Sequence, residues 1–327
     1  MPRPSFTSIF KIIAALACFA APWVVGDYYL QRISPYWENL ESLRKYSARD
    51  LTASTVAIGD CTIIPLRSFA DSSPMYTHLR VFGFGGSAVK EWYYLVKNLR
   101  EKMSTAKVVV IGVSPPARYK QLTASYTSQL PFLMTWSDIF HHSLIEKRIF
   151  FAETIRFLLA KQFESFSASQ VMRFKLFDAI FPYYKNWYDQ RNFFVGNPQV
   201  EWRAQSKENP LSDDMDISYD ENDYFTRLAE ISKSMSGRLV FMITPRSTWR
   251  NADAGFRKEV DQWLEQCRKL NVACYDMSRT MPDEYFDRPP GDGLHLNTEK
   301  SRMEFWEKLE AELRRTGKLD SPKYSAR

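Results

Sequence analysis

Four short segments carry the residue types that could do chemistry. Gly59-Asp60-Cys61 sets a thiol beside a carboxyl, Gly83-Phe-Gly85-Gly86-Ser87 and Gly112-Val-Ser114 are glycine turns that end in a hydroxyl, and Asp292-Gly-Leu-His295-Leu-Asn297 places an imidazole three residues after a carboxylate. A thiolate is a strong nucleophile, and an imidazole oriented by a carboxylate is a group that can take its proton. The chemistry such a set could perform is nucleophilic catalysis with a general base. Each part alone also has a plainer reading: a cysteine at a strand end packs as a small hydrophobe, and an isolated Asp-x-x-His occurs in surface loops. Arg246 and Arg250 follow another apolar run. They could meet a phosphate or carboxylate, or they could be ion-paired at the surface.

These segments sit where a particular architecture would put them. Thr55-Val-Ala-Ile58, Leu79-Arg-Val-Phe82 and Val108-Val-Val-Ile111 are short apolar runs rich in β-branched residues, and each stops at a glycine turn. Residues 89–102 follow with helical spacing of Trp92, Leu95, Val96 and Leu99. The pattern resumes with Leu239-Val-Phe-Met-Ile243, an amphipathic helix over 256–269, a strand at Val272-Ala-Cys-Tyr275 and a closing helix over 298–314. Buried-type strands alternating with helices predict an α/β fold with a parallel sheet. Of the chain's 12 glycines, seven (Gly59, Gly83, Gly85, Gly86, Gly112, Gly291 and Gly293) fall in the four chemical segments. Ligands of open α/β sheets bind outside the carboxyl ends of the strands, so these glycines read as places where backbone N–H groups approach a substrate.

Residues 118–235 do not fit the repeat and exceed an ordinary loop, so they are expected to be a helical, aromatic-rich insertion. Within them, residues 140–195 hold 15 aromatics interleaved with eight basic residues, among them Arg148, Arg156, Arg173 and Lys175. That composition fits a cap with its own small core, or a surface that faces a membrane or an integral partner. The α/β domain is then divided between 31–117 and 236–327. Residues 1–30 form a third region: Arg3 and Lys11 precede an apolar stretch over 12–25, followed by Tyr28 and Tyr29. This suits a secretory signal or, better, an uncleaved signal anchor with its basic end inside, a single span of the cytoplasmic membrane and the remainder of the chain exported; the plainer alternative is a buried core helix. Ala15-Leu16-Ala17-Cys18 also resembles a lipoprotein cleavage box.

Composition removes several classes. At 327 residues, 45% apolar and 25% charged with a net charge of +6, the chain is neither a disordered tail nor a dedicated nucleic-acid binder. Four cysteines without a C-x-x-C spacing exclude a zinc ribbon and a disulfide-dense scaffold. With four histidines and no H-E-x-x-H, a histidine-rich metal site is not expected, nor is any cofactor. Cys267 and Cys274, seven apart across a helix-to-strand turn, read as buried free thiols that could pair in an oxidising compartment.

In order, the four chemical segments resemble the blocks of the SGNH (GDSL-type) hydrolase superfamily. The resemblance implies a flavodoxin-like three-layer sheet, with Cys61 in the position of the serine nucleophile, His295 as base and Asp292 as its orienting carboxylate. It places the Gly86 N–H and Ser114, where the superfamily has asparagine, in the oxyanion hole. An acyl group would rest on Cys61 as a thioester before transfer. The N-terminal anchor, Ser114-Pro115 after the third strand, the large insertion, Thr244-Pro245 with Trp249 beyond it, and Tyr285-Phe286 ahead of Asp292-x-x-His295 resemble the DltD family in layout. Those proteins are anchored, externally facing partners of membrane-bound O-acyltransferases. The resemblance implies acyl transfer or acyl-ester hydrolysis on a cell-envelope polysaccharide or teichoic-acid-like polymer. A stand-alone esterase or thioesterase, or a non-catalytic scaffold that docks the acyltransferase, are the alternatives.

Overall fold

The structure is a computed structural model, and it describes residues 53–83, 87, 89–114, 133–145, 158–159, 161–162, 219–251, 254–286 and 293–320, with single helical positions at 14, 17, 21, 24 and 25. The chain divides into two compact units, Met1–Arg44 with Ala124–Trp187 and Lys45–Thr123 with Tyr188–Arg327.

The second unit holds the sheet. Strands β1 (Thr55–Gly59), β2 (Leu79–Gly83), β3 (Val108–Val113), β4 (Leu239–Ile243) and β5 (Cys274–Asp276) run parallel in the order β2-β1-β3-β4-β5. This is the flavodoxin-like order, with its switch point between β1 and β3. β1, β3 and β4 are buried at every position, which is why their sequences are continuous apolar runs rather than alternations.

Successive side chains point to opposite faces, so two helical layers are needed. On one face Ala57, Val81, Val110 and Met242 pack with Phe69 of the short helix α1 (Arg67–Ala70) and with Phe305, Trp306, Leu309 and Leu313 of the closing helix α7 (Glu299–Arg315). The other face is covered by α2 (Val89–Leu99), α4 (Tyr219–Ser234) and α6 (Ala254–Leu270). There Phe241 of β4 meets Phe225 of α4 at 4.8 Å between ring centroids, and Phe225 meets Trp263 of α6 edge-on at 4.8 Å. Helix α4 lies inside the span expected to be insertion, yet it packs on α2 as a crossover helix ahead of β4. The aromatic stretch over 140–195 falls almost wholly outside the described residues.

Two predicted elements shift. The helix expected to reach residue 102 ends at Leu99; beyond it Ser104 N bonds Glu101 O and Ala106 N bonds Met103 O, tight turns that bring Lys107 N to Ser54 O beside β1. The last strand begins at Cys274 rather than 272, since Val272 N is bonded to Cys267 O at the end of α6. In the first unit, α3 (Trp136–Ile145) exposes Trp136 and Phe140, one turn apart. Among the described residues no helix is long and apolar enough to cross a membrane, and the stretch over 12–25 lies largely outside them.

Candidate functional site

At the carboxyl edge of the sheet, β1 runs into a turn built around Asp60. Its backbone carbonyl accepts from Ile63 N at 3.1 Å and Ile64 N at 3.3 Å, and its carboxylate accepts from Thr62 N at 2.9 Å and Thr62 Oγ1 at 2.7 Å. Cys61 is carried at the outside of this doubly closed turn, half-buried and with a free thiol. The turn continues into a single 3-10 turn, Ile64–Leu66, and then α1.

Three of the strand-end glycines, Gly59, Gly83 and Gly112, make room for this turn. A Cβ on Gly59 or Gly112 would come closer than 3.0 Å to the Ile63 side chain, and one on Gly83 would stand 2.6 Å from Ile64 Cγ1 and 2.8 Å from Ile64 N. The bared backbone of three neighbouring strands is thus a socket for Ile63 and Ile64. The segment that carries Cys61 can sit directly on the edge of the sheet only because these positions lack side chains. Gly85, Gly86 and Gly291 lie outside the described residues.

His295 arrives from far along the chain, and its loop is fastened on both sides. Before it, Gly293 has φ +63°, and its carbonyl accepts from Ser247 N at 3.0 Å, just beyond β4. A Cβ here would collide with the Ser247 hydroxyl and with the Trp249 indole, 2.5 Å from Cζ2. After it, Leu296 bridges antiparallel to Phe286, Asn297 N bonds Tyr285 O at 3.0 Å, and Thr298 caps α7 in a reciprocal capping box with Ser301. The segment bearing Trp249, α5 (Thr248–Asn251), is held in turn by Thr248, whose N and Oγ1 both donate to the Asp283 carboxylate. His295 itself is half-buried between these fastenings.

Electrostatics join the two segments. Asp60 is 1% exposed, and burial pushes its carboxyl above the ordinary range. Opposing that, the Thr62 hydrogen bonds and then the positive charges of His295 and Arg246 draw it back down. The charges of His295 and Arg246 therefore both act on Asp60, the residue that precedes Cys61. From the sequence Asp60 was quoted beside Cys61 but given no role. Its only signal there was a carboxyl directly after a buried strand, adjacent to a candidate nucleophile.

The remaining predicted residues are distributed as follows. Ser114 is buried at the end of β3, on the same edge of the sheet as Cys61. Arg246, read as a contact for an anionic acceptor, is 1% exposed, its N bonded to Ser278 O at 3.0 Å and its charge acting on Asp60. Arg250 belongs to α5, and its side chain is outside the described set, as are Gly86 and Asp292. Ser87, quoted in the second segment without a role, is a structural tie: its Oγ donates to Gly59 O at 3.1 Å and accepts from Trp92 Nε1 at 2.9 Å, fixing the start of α2 to the last residue of β1. Among the described residues no group of His, Cys, Asp and Glu could hold a metal ion.

No family model matches the chain, and no curated protein matches it either. Its fold is similar to a crystal structure from Bacteroides fragilis NCTC 9343 described as a candidate acylhydrolase, with 9% sequence identity and a TM-score of 0.40 over 88% of this chain and 100% of that one.

Proposed function

We propose that the chain is an SGNH-like protein that moves an acyl group onto or off a cell-envelope polysaccharide or teichoic-acid-like polymer through an acyl-enzyme at Cys61. The observation that supports this reading is that the Cys61 turn follows β1 and the loop of His295 is tied by Gly293 O to Ser247 N just beyond β4, which brings both to the carboxyl edge of a parallel sheet, with the His295 charge acting on Asp60. Both arrive on fastened backbone, which is what positioning for covalent catalysis requires.

In this reading His295 takes the Cys61 proton as the sulfur attacks the acyl carbonyl. The Cys61 and Gly86 N–H groups and the Ser114 hydroxyl face the oxyanion, and Asp292 orients the imidazole. Collapse expels the donor oxygen, which receives the proton from His295, and leaves a thioester on Cys61. An acceptor hydroxyl or water, deprotonated by His295, then attacks the thioester and regenerates the thiol.

An extracytoplasmic site tethered by residues 1–30 belongs to the same proposal. It is supported by the basic-then-apolar sequence there and by Val24 and Val25, helical positions that leave apolar surface uncovered. DltD-like partnership with a membrane-bound O-acyltransferase is the finer form of the proposal. A second reading, a scaffold without catalysis, is favoured by one observation: Trp136 and Phe140, 47% and 54% exposed on one side of α3, suit docking to an integral partner.

The test is intact-mass analysis of the full chain after exposure to p-nitrophenyl acetate, comparing wild type with Cys61→Ala and His295→Ala. One acetyl adduct that maps to Cys61 and forms slowly without His295 supports the enzyme. Labelling no faster at Cys61 than at Cys267 or Cys274 overturns it and leaves the scaffold.

A further inference from the structure

We infer that Cys267 and Cys274 are a redox-closable pair, a site of disulfide formation at the edge of the sheet that takes a disulfide-bearing oxidant as co-reactant. This inference does not rest on the reading of Cys61.

The placement follows from register and helical period. Cys274 is the first residue of β5 and is paired with Phe241 of β4, so the two side chains share a face of the sheet. Phe241 is covered there by Trp263 of α6, at 6.4 Å between ring centroids. Cys267 lies four residues after Trp263 and seven after the buried Val260, one turn further along the sheet-facing stripe of α6, and is itself 1% exposed. The chain between the two thiols is held in a tight return by Asn271, at φ +54°, and by the bond from Val272 N to Cys267 O at 3.0 Å. Both thiols are free, and Cys267 lies close enough to act on the Cys274 thiol. Cys274 is half-buried and keeps some exposed surface at which an oxidant can attack, whereas Cys267 is fully buried.

Closure proceeds by two exchanges. The Cys274 thiolate attacks one sulfur of the oxidant's disulfide and expels a thiol, and the Cys267 thiolate then attacks Cys274 Sγ and expels the second. The two cysteines lose two protons and two electrons, and the oxidant gains them as two thiols. The nearby Cys267 sulfur as acceptor for the Cys274 proton, then burial, then the charges of Cys267 and Asp276 push the Cys274 thiol up. Closure is therefore slow at neutral pH and faster in mildly alkaline buffer. Once formed, the bond fastens β5, an edge strand of three residues, to the end of α6.

The full chain, reduced and then incubated with oxidised glutathione, is trapped with N-ethylmaleimide and mapped by peptide mass. The expected result is a linked Cys267–Cys274 peptide lacking two hydrogens, loss of maleimide from both, and a thermal midpoint raised by a few degrees that reverts with reductant. In Cys267→Ser, Cys274 should stop at the glutathione adduct. Persistent maleimide on Cys274, a stable glutathione adduct on Cys274 in wild type, or pairing of either cysteine with Cys61 would each overturn the inference. The wild-type arm needs no variant to fold.

Discussion

Ile63 fills the hollow that Gly112 leaves at the end of β3. A Cβ on Gly112 would come within 3.0 Å of the Ile63 side chain, and a Cβ on Gly59 would do the same while standing 2.8 Å from Gly112 O. The residue two positions after Cys61 is therefore the plug that seats the turn, and the seat exists only while the neighbouring strands end in glycine.

Gly112→Ala is expected to destabilise by about 1–3 kcal/mol, the usual cost of overfilling a packed site. Ile63→Ala, at a buried position, should lose about 2–5 kcal/mol. Because the new methyl would occupy part of the space vacated by Ile63, the double variant should be more stable than the sum of the two losses predicts. Urea unfolding of the three variants measures the coupling, and strict additivity would show that the two residues do not share one space.

Gly293→Ala tests the other half of the site. The backbone there is at φ +63°, and the added methyl meets the Ser247 hydroxyl and the Trp249 ring. The left-handed conformation alone costs a non-glycine residue about 1–2 kcal/mol. The loop that must move to relieve the clash carries His295 two residues on. Acylation of Cys61 should fall by more than tenfold while the fold survives, since a displacement of about 1 Å in a catalytic group costs on the order of a hundredfold. A Gly293→Ala protein that acylates at the wild-type rate would separate His295 from the reaction.

How much of this was legible in the sequence depended on whether the signal was local. β1, β3 and β4 were readable because strands buried on both faces are written as unbroken Val, Ile and Phe runs. The closing helix was expected over 298–314 and forms over Glu299–Arg315, with Thr298 as its cap rather than its first residue. The 3-10 turn and α1 after β1 were not, because Ile63-Ile64-Pro65-Leu66 has neither helical spacing nor strand alternation. Its apolar residues are matched to glycines on β1, β2 and β3, a relation that exists only once those strands are side by side. The same holds for Asp60: a lone carboxyl becomes part of a charged set only when Arg246 and His295 are folded beside it.

At the opposite end of the sheet, His78 Nε2 lies 2.6 Å from Glu310 Oε1, and Glu310 also accepts from Trp306 Nε1 at 2.8 Å and Arg314 Nη2 at 2.6 Å. The Glu310 hydrogen bond raises the His78 pKa above its ordinary 6.5, so the stability it adds is complete below that value and lost as pH rises through the raised one. Burial pushes Glu310 up, but the bonds from His78 and Trp306 and the nearby positive charges hold it below its ordinary 4.5. Its contribution is complete above 4.5 and fails as pH falls through the lowered value. Both are present together between about pH 4.5 and 6.5. His78→Gln should lose about 1 kcal/mol in that window, kept small because the His78 side chain is 36% exposed. The gap should narrow at alkaline pH; a wild-type-minus-variant difference that widened there would reverse the assigned sign.

Asp60→Asn sets stability against function. Burial raises the Asp60 carboxyl above its ordinary 3.8, so the folded chain holds that proton more tightly than the unfolded one, and stability falls as pH rises from 3.8 through the raised value. At neutral pH the ionised group is a net burden. Asparagine keeps an oxygen that can accept from Thr62 N and Oγ1 while removing the charge. The variant should therefore melt at the same temperature as wild type or higher at pH 7, with the difference closing below about pH 4. Its chemistry should suffer in the other direction. The charge of His295 favours an ionised Asp60, so by reciprocity an ionised Asp60 favours a protonated His295. Without that carboxylate the imidazole gives up its proton more readily, and the acidic limb of the Cys61 acylation profile should move to lower pH. A variant less stable at neutral pH, or a limb that stays in place, would show that Asp60 acts through the shape of its turn rather than through its charge.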